Sequence, residues 1–328
     1  MKPPEITVLS LGGTISSTGE GGVKPTLTGE DLVSDIPEIA DVAEVEASSF
    51  RQSPSGELTL DDLIELAGEI EDSFDSGSSG AVITQGTDTI EETSFVLDLL
   101  VNRDEPIIVT GAMRNPTLPG ADGPANLLAA VEVASSESAR GLGTVVVFND
   151  EIHAARFVRK THTQSPATFR SEAAGPIGGI SEGNVRIAAR PVGRRNIRPS
   201  RGGEDRPVAL FTAALGDDGR MLPELPRLGY VGLVVEAMGG GHVPEAMVGR
   251  LEKLAETMPV VLASRTGSGD VLEKTYGFPG SEMDLLGRGL VPAGMLDGLK
   301  ARLLLSLLLR SGAGEDEIRD AFRNPYPI

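Results

Sequence analysis

The stretch Gln85-Gly86-Thr87-Asp88-Thr89 sets two hydroxyls and a carboxylate where an apolar run stops and an amphipathic pattern begins. A hydroxyl beside a carboxylate can relay a proton or hold a small polar molecule. A second junction of this kind is "LSLGGTISS" (9–17), in which an apolar run passes through Gly12 and Gly13 to Thr14. Glycines there let backbone N–H groups approach a ligand closely. A third segment, "FVRKTHTQSPATFRSEAAGPIG" (157–178), carries Lys160, one of only six lysines. A lysine held partly out of water beside a Thr and an Asp can act as a base, and a hydroxyl served by a base becomes a nucleophile.

Each junction also has a plainer reading. Asp88 or Thr89 can N-cap a helix starting near Ile90, with Glu91 or Glu92 completing a capping box. Such a cap accounts for one polar residue and leaves Thr87 over. The helix N-terminus would in addition suit a small anion such as an amino-acid carboxylate. Gly12-Gly13 reads equally as a tight turn, and an isolated lysine as a surface residue. "MGGGHVP" (238–244) is either a ligand-lining strand end or a turn.

These residues need elements to hold them. Six short, mostly continuous apolar runs read as buried strands: 6–11, 80–84, 106–112, 143–148, 230–237 and 259–264. Helical periodicity fills 59–74, 90–102, 123–136, 244–257 and 297–312 between and after them. Strand, helix, strand in this rhythm indicates parallel βαβ units, hence an α/β fold with a doubly wound parallel sheet. Segment 182–207 is rich in Arg, Pro and Gly and has little periodicity, as expected of a linker with an irregular or hairpin piece. The expected division is a large N-terminal α/β domain over 1–190, a linker over 191–207 and a smaller C-terminal α/β domain over 208–328.

Composition narrows the partners. A formal charge of −19 repels phosphate backbones and anionic lipids, so nucleic acid and membrane are poor partners. Such an acidic, lysine-poor surface suits a salt-rich cytoplasm and a GC-rich genome alike. With aromatics at 4% and no Trp, base-stacking platforms are not expected. There is no Cys, which excludes disulfides and thiolate metal sites. His153, His162 and His242 lack metal-ligand spacing. No secretory signal is visible in "MKPPEITVLSLGG", and the apolar patch 302–310 is too short to span a bilayer, so a cytoplasmic location is expected.

Taken together, "LGGTIS", "TQGTDTIEETSF", "IIVTGAMR" (107–114) and "RKTHTQSPATFRS" (159–171) resemble the L-asparaginase family in order and spacing. The resemblance extends through "YVGLVVEAMGGGHVP" (230–244) and "KTYGFPGS" (274–281), over nearly the whole chain. It implies hydrolysis of asparagine to aspartate and ammonia without a cofactor. It implies Thr14 as nucleophile, and Thr87, Asp88 and Lys160 as the cluster that handles a proton and the attacking water. For substrate it implies Asp88 against the ammonium, Ser55 of "SPSGELT" against the carboxylate, and Gly86 and Thr87 beside them. L-Glutamine is the alternative substrate, and self-association into dimers or tetramers is implied as well.

The sequence departs from the family pattern in places. The family usually carries a Tyr in the loop after its first motif. Residues 17–33 contain none, Val23 stands at that place, and the tyrosines are Tyr230, Tyr276 and Tyr326. Some members place an Asn from a neighbouring subunit where this chain reads Gly-Gly-Gly-His (239–242), and an acidic residue that Asp270, Glu273 or Glu282 could match. Two other readings use parts of the pattern. One is the ammonia-releasing subunit of a tRNA-dependent amidotransferase. Those usually carry a domain ahead of the Gly-Gly-Thr motif, which here begins at residue 12, and the acidic charge opposes a tRNA partner. The other is an amino-acid binding protein without turnover, for which the missing loop Tyr speaks.

Overall fold

The computed structural model describes residues 2–13, 15, 17–18, 24–25, 27–199 and 205–325. The chain forms two compact units, Met1–Asn196 and Ile197–Pro327.

The first unit opens with β1 (Glu5–Ser10), the short β2 (Ser17–Thr18) and β3 (Lys24–Pro25), then α1 (Gly29–Ser34), α2 (Ile39–Val42) and β4 (Glu44–Ser49). It continues through α3 (Leu60–Asp75), β5 (Gly80–Thr84), α4 (Ile90–Leu100), β6 (Ile107–Thr110), α5 (Gly123–Ala134) and β7 (Thr144–Phe148). Five short strands close it: β8 (Glu151–Ala154), β9 (Arg159–Lys160), β10 (Phe169–Arg170), β11 (Gly178–Ser181) and β12 (Asn184–Ile187).

Eight of these strands form one sheet in the order β12-β11-β8-β7-β6-β5-β1-β4. The five from β4 to β7 are parallel, and β8, β11 and β12 extend the sheet antiparallel. The continuous apolar runs are explained by burial: every residue of β5, β6 and β7 is buried. Helix α3 shows the complementary pattern. Leu63, Leu66, Ala67, Ile70 and Phe74 form one buried stripe at helical spacing. Its start is fixed by a reciprocal cap, in which Thr59 Oγ1 accepts from the Asp62 N–H and Asp62 Oδ2 accepts from the Thr59 N–H. Leu66→Ala in that stripe is expected to cost about 2–5 kcal/mol.

The six apolar runs are all strands and the five periodic stretches are all helices. The sheet is not purely parallel, however, and β4 was not visible in the sequence. Its residues are half-buried or exposed along an edge, so no apolar run marks it. Residues 190–196 lie along the first unit. Arg190 donates to the Arg140 and Ser138 carbonyls, Arg194 to those of Arg103 and Val101, and Asn196 to that of Leu100.

The second unit comprises β13 (Val208–Thr212), β14 (Gly232–Ala237), α6 (Glu245–Ala255), β15 (Val260–Ser264), α7 (Glu282–Gly287), β16 (Val291–Pro292), α8 (Gly298–Arg310) and α9 (Glu315–Arg323). Its four strands are parallel and lie in chain order. Their core joins Leu233, Val235 and Leu262 to Met247 and Leu251 of α6.

Candidate active site

The order of the parallel strands locates a site before any side chain is considered. From β1 the chain passes to β4 on one side, then returns to β5 on the other side of β1. In open parallel sheets, ligands bind outside the carboxyl ends of strands at such a reversal. The residues that leave those ends are Leu11-Gly12-Gly13 and Gln85-Gly86-Thr87-Asp88, two of the three junctions singled out above.

The two loops meet main chain to main chain. The Leu11 N–H donates to the Thr84 carbonyl at 2.8 Å. Gly13 has φ +90°, and a Cβ there would collide with the backbone of Gly86. A Cβ on Gly86 would in turn lie 2.8 Å from Ser55 Oγ. Glycine at 13 and 86 is therefore a packing requirement, and it brings the Ser55 turn against the β5 loop. Thr14, next in the chain, lies outside the described residues, as does Val23.

Thr87, Asp88 and Thr89 form a single 3-10 turn ahead of α4. Lys160 reaches this turn from β9. Its Nζ donates to Thr87 Oγ1 at 2.9 Å and to Asp88 Oδ1 at 2.6 Å. The lysine side chain is 14% exposed while that of Asp88 is 79% exposed. Thr87 is buried. The ammonium is thus held largely out of water by one hydroxyl and one carboxylate, and the carboxylate remains open to a ligand. The surface-lysine reading is excluded by this burial.

Strand β9 is placed by its partner. Lys160 pairs with Phe169 and Arg159 with Arg170 in an antiparallel hairpin. The turn between them is self-contained. His162 Nδ1 accepts the N–H groups of Gln164 and Ser165, and Thr168 Oγ1 accepts the His162 N–H. Phe169 is buried with its ring centroid 4.8 Å from that of Phe148, at the end of β7.

The expected helix cap is corrected by the structure. Helix α4 begins at Ile90, and the flanking Thr89 makes no side-chain capping hydrogen bond. The Thr89 hydroxyl donates instead to the Ser55 carbonyl at 3.1 Å and accepts from Gln85 Nε2 at 3.2 Å. Asp88 is engaged by Lys160. Gln85 and Thr89 therefore link the β5 loop to the Ser55 turn, which spans Ser55–Glu57 with Ser55 buried. Neither supporting role is legible in the sequence, where a Thr before a helix looks like a cap.

The other titratable groups serve elsewhere. His153 is buried on β8, and that burial pushes its pKa below the ordinary value, against the opposing pull of Glu151. In the second unit His242 Nε2 lies 3.1 Å from the buried Glu282 Oε2. Among the described residues no group of three or more His, Asp or Glu is arranged to hold a metal ion. Among them, too, no helix is long and apolar enough to cross a membrane.

Comparison with known proteins bears on both units. Residues 5–193 match the family model "Asparaginase, N-terminal" and residues 207–322 match "Glutaminase/Asparaginase C-terminal domain". An L-asparaginase of Bacillus licheniformis is 32% identical, over 97% of this chain and 98% of that protein. A probable periplasmic L-asparaginase of Haemophilus influenzae is 33% identical, over 98% of this chain and 93% of that one. Among solved structures, a probable cytoplasmic L-asparaginase from Campylobacter jejuni superposes with a TM-score of 0.89 at 29% identity, covering 98% of this chain and 99% of that one.

Proposed function

The chain belongs to the asparaginase family, and from that membership we propose that it hydrolyses the side-chain amide of L-asparagine to L-aspartate and ammonia. The observation that carries the reading is Lys160 Nζ, set between Thr87 Oγ1 and Asp88 Oδ1 at the point where the strand order reverses.

The chemistry is assigned as follows. The Thr14 hydroxyl oxygen attacks the amide carbon, and its proton passes to a neighbouring acceptor. Backbone N–H groups beside the glycines and Thr87 stabilise the developing oxyanion. The C–N bond breaks, the nitrogen takes up a proton and ammonia departs, leaving an ester on Thr14. A water aligned by Thr87 and Lys160 then attacks that ester, its proton returns to Thr14, and aspartate is released. No cofactor enters these steps. Asp88 receives the substrate ammonium, and its high exposure leaves it accessible. Ser55, lying against Gly86, receives the carboxylate.

L-Glutamine is the second substrate class. One methylene in a pocket is worth about 1–3 kcal/mol, so a preference for asparagine of roughly 10- to 200-fold is the scale to expect. We place the protein in the cytoplasm, the location named for the Campylobacter jejuni structure, and assign it self-association into dimers or tetramers on family membership.

The test is release of ammonia and aspartate from L-asparagine and L-glutamine, at low and high salt, by wild type and Thr14→Ala. Stoichiometric products that disappear in the variant are expected. Tight amino-acid binding with no product from either amide at any salt would overturn the reading and favour a binding protein.

A further inference from the structure

The proposed cluster depends on a lysine whose strand is only two residues long, Arg159–Lys160. Two residues of pairing do not by themselves fix a long side chain, so something must anchor the hairpin. Its first strand is preceded by Val158, which is fully buried. Its second strand is anchored at Phe169, packed on Phe148, and at Ser171, the residue directly after the strand. Ser171 Oγ lies 3.0 Å from His153 Nδ1, and both residues are buried, at 5% and 1% exposure.

The surroundings of His153 favour one tautomer. Its Nε2 lies 3.4 Å from Glu151 Oε2, a charge contact without hydrogen-bond geometry. A lone pair turned to a carboxylate is repelled and an N–H is attracted, which favours the proton on Nε2. Nδ1 is then an acceptor, and the Ser171 hydroxyl donates to it. Glu151 also lies 3.6 Å from Arg170 Nη1, in the strand paired with Lys160's. Strand β8 thus grips β10 through an imidazole–hydroxyl bond and an ion pair.

We propose that His153 is a positioning residue for Lys160: through Ser171 it fixes β10 to the main sheet, and through β10 the strand from which Lys160 reaches Thr87 and Asp88. The proposal rests on the reading that Lys160 takes part in asparagine hydrolysis. His153 touches neither substrate nor reacting atoms.

The experiment compares wild type with His153→Leu, His153→Asn, Ser171→Ala and Lys160→Met. For each protein it measures the folded fraction by circular dichroism and kcat for L-asparagine across pH. His153→Leu preserves bulk without a hydrogen bond, and a misplaced reacting group costs about 10- to 100-fold. A loss of that size is expected in both His153→Leu and Ser171→Ala at undiminished folded fraction, with the midpoint of the kcat–pH profile displaced. The double variant is expected to fall no further than either single one. His153→Asn, whose amide can still accept from Ser171, is expected to recover most of the loss.

Folded variants with wild-type kcat and profile would overturn the proposal, as would a profile scaled down uniformly without displacement. If His153→Leu does not fold, Ser171→Ala decides alone. Lys160→Met separates the two readings. Wild-type turnover in that variant removes the role of Lys160 and the positioning proposal with it. Collapse there, beside wild-type behaviour in Ser171→Ala, removes only the positioning proposal.

Discussion

Both units carry parallel strands that run out into glycine-bearing loops with a carboxylate nearby, and the two carboxylates are used in opposite ways. After β5, Asp88 stands largely in water, with Oδ1 on the Lys160 ammonium. Beyond β14, His242 faces Glu282, which is fully buried. Glu282 Oε1 accepts the backbone N–H groups of Thr275 at 2.9 Å and Tyr276 at 2.7 Å, while Oε2 meets the imidazole. A carboxylate whose acceptor sites are occupied by its own chain organises a loop. One that holds a buried cation and still faces solvent can take a ligand. The difference separates a structural carboxylate from a candidate catalytic one, although both read in sequence as an acidic residue near a glycine.

The largest effect should come from the first region. Thr87→Val keeps the shape of the side chain and removes the hydroxyl that Lys160 holds, and should lower asparagine turnover by about 10²- to 10⁴-fold. Ammonia release and circular dichroism together would check that the loss is catalytic. A loss confined to stability would erase the contrast between the regions.

Glu282→Ala should act on stability. It strands two backbone N–H groups that the carboxylate now receives, and should cost the second unit about 2–3 kcal/mol, read by urea unfolding. The pH dependence sharpens this. Burial pushes the Glu282 pKa up, but the Tyr276 and Thr275 N–H donors and His242 pull it down further, to below its ordinary 4.5. A carboxylate depressed on folding contributes stability that is present above its unfolded value and lost as pH falls below it. Glu282→Gln should therefore flatten the decline in unfolding free energy below about pH 4.5.

His153 has its own window. Burial lowers its pKa from 6.5, so its contribution is present above that value and lost as pH falls through it. His153→Leu should flatten unfolding free energy in that higher range and leave the acid range to Glu282. The smallest effect on stability belongs to Asp88→Asn. With one partner in solvent, its pairing with Lys160 is worth no more than about 1 kcal/mol, even though substrate affinity should drop. A larger loss of stability would place Asp88 with Glu282 as a structural carboxylate.

What the sequence made legible follows from burial. Strands β1, β5, β6, β7, β14 and β15 are enclosed on both faces and appear as apolar runs. Glu44–Ser49 lies at an edge, and Gly178–Ser181 offers little apolar content, so neither run was visible. Thr87 and Asp88 were visible as candidates because they follow a strand. Their partnership with Lys160 spans more than seventy residues and depends on a hairpin of two-residue strands, which no periodicity encodes. The resemblance to the family supplied it. Asp88 and Thr89 both look like caps in the sequence because their bonds, to Lys160 and to the Ser55 carbonyl, are likewise long-range.

The central claim is that the group of Thr87, Asp88 and Lys160 carries asparagine hydrolysis. The most direct measurement is steady-state ammonia release from L-asparagine by wild type beside Lys160→Met, both verified as folded. The account predicts robust release by wild type and a loss of about 10²-fold or more in the variant. Equal release by the two proteins would contradict it.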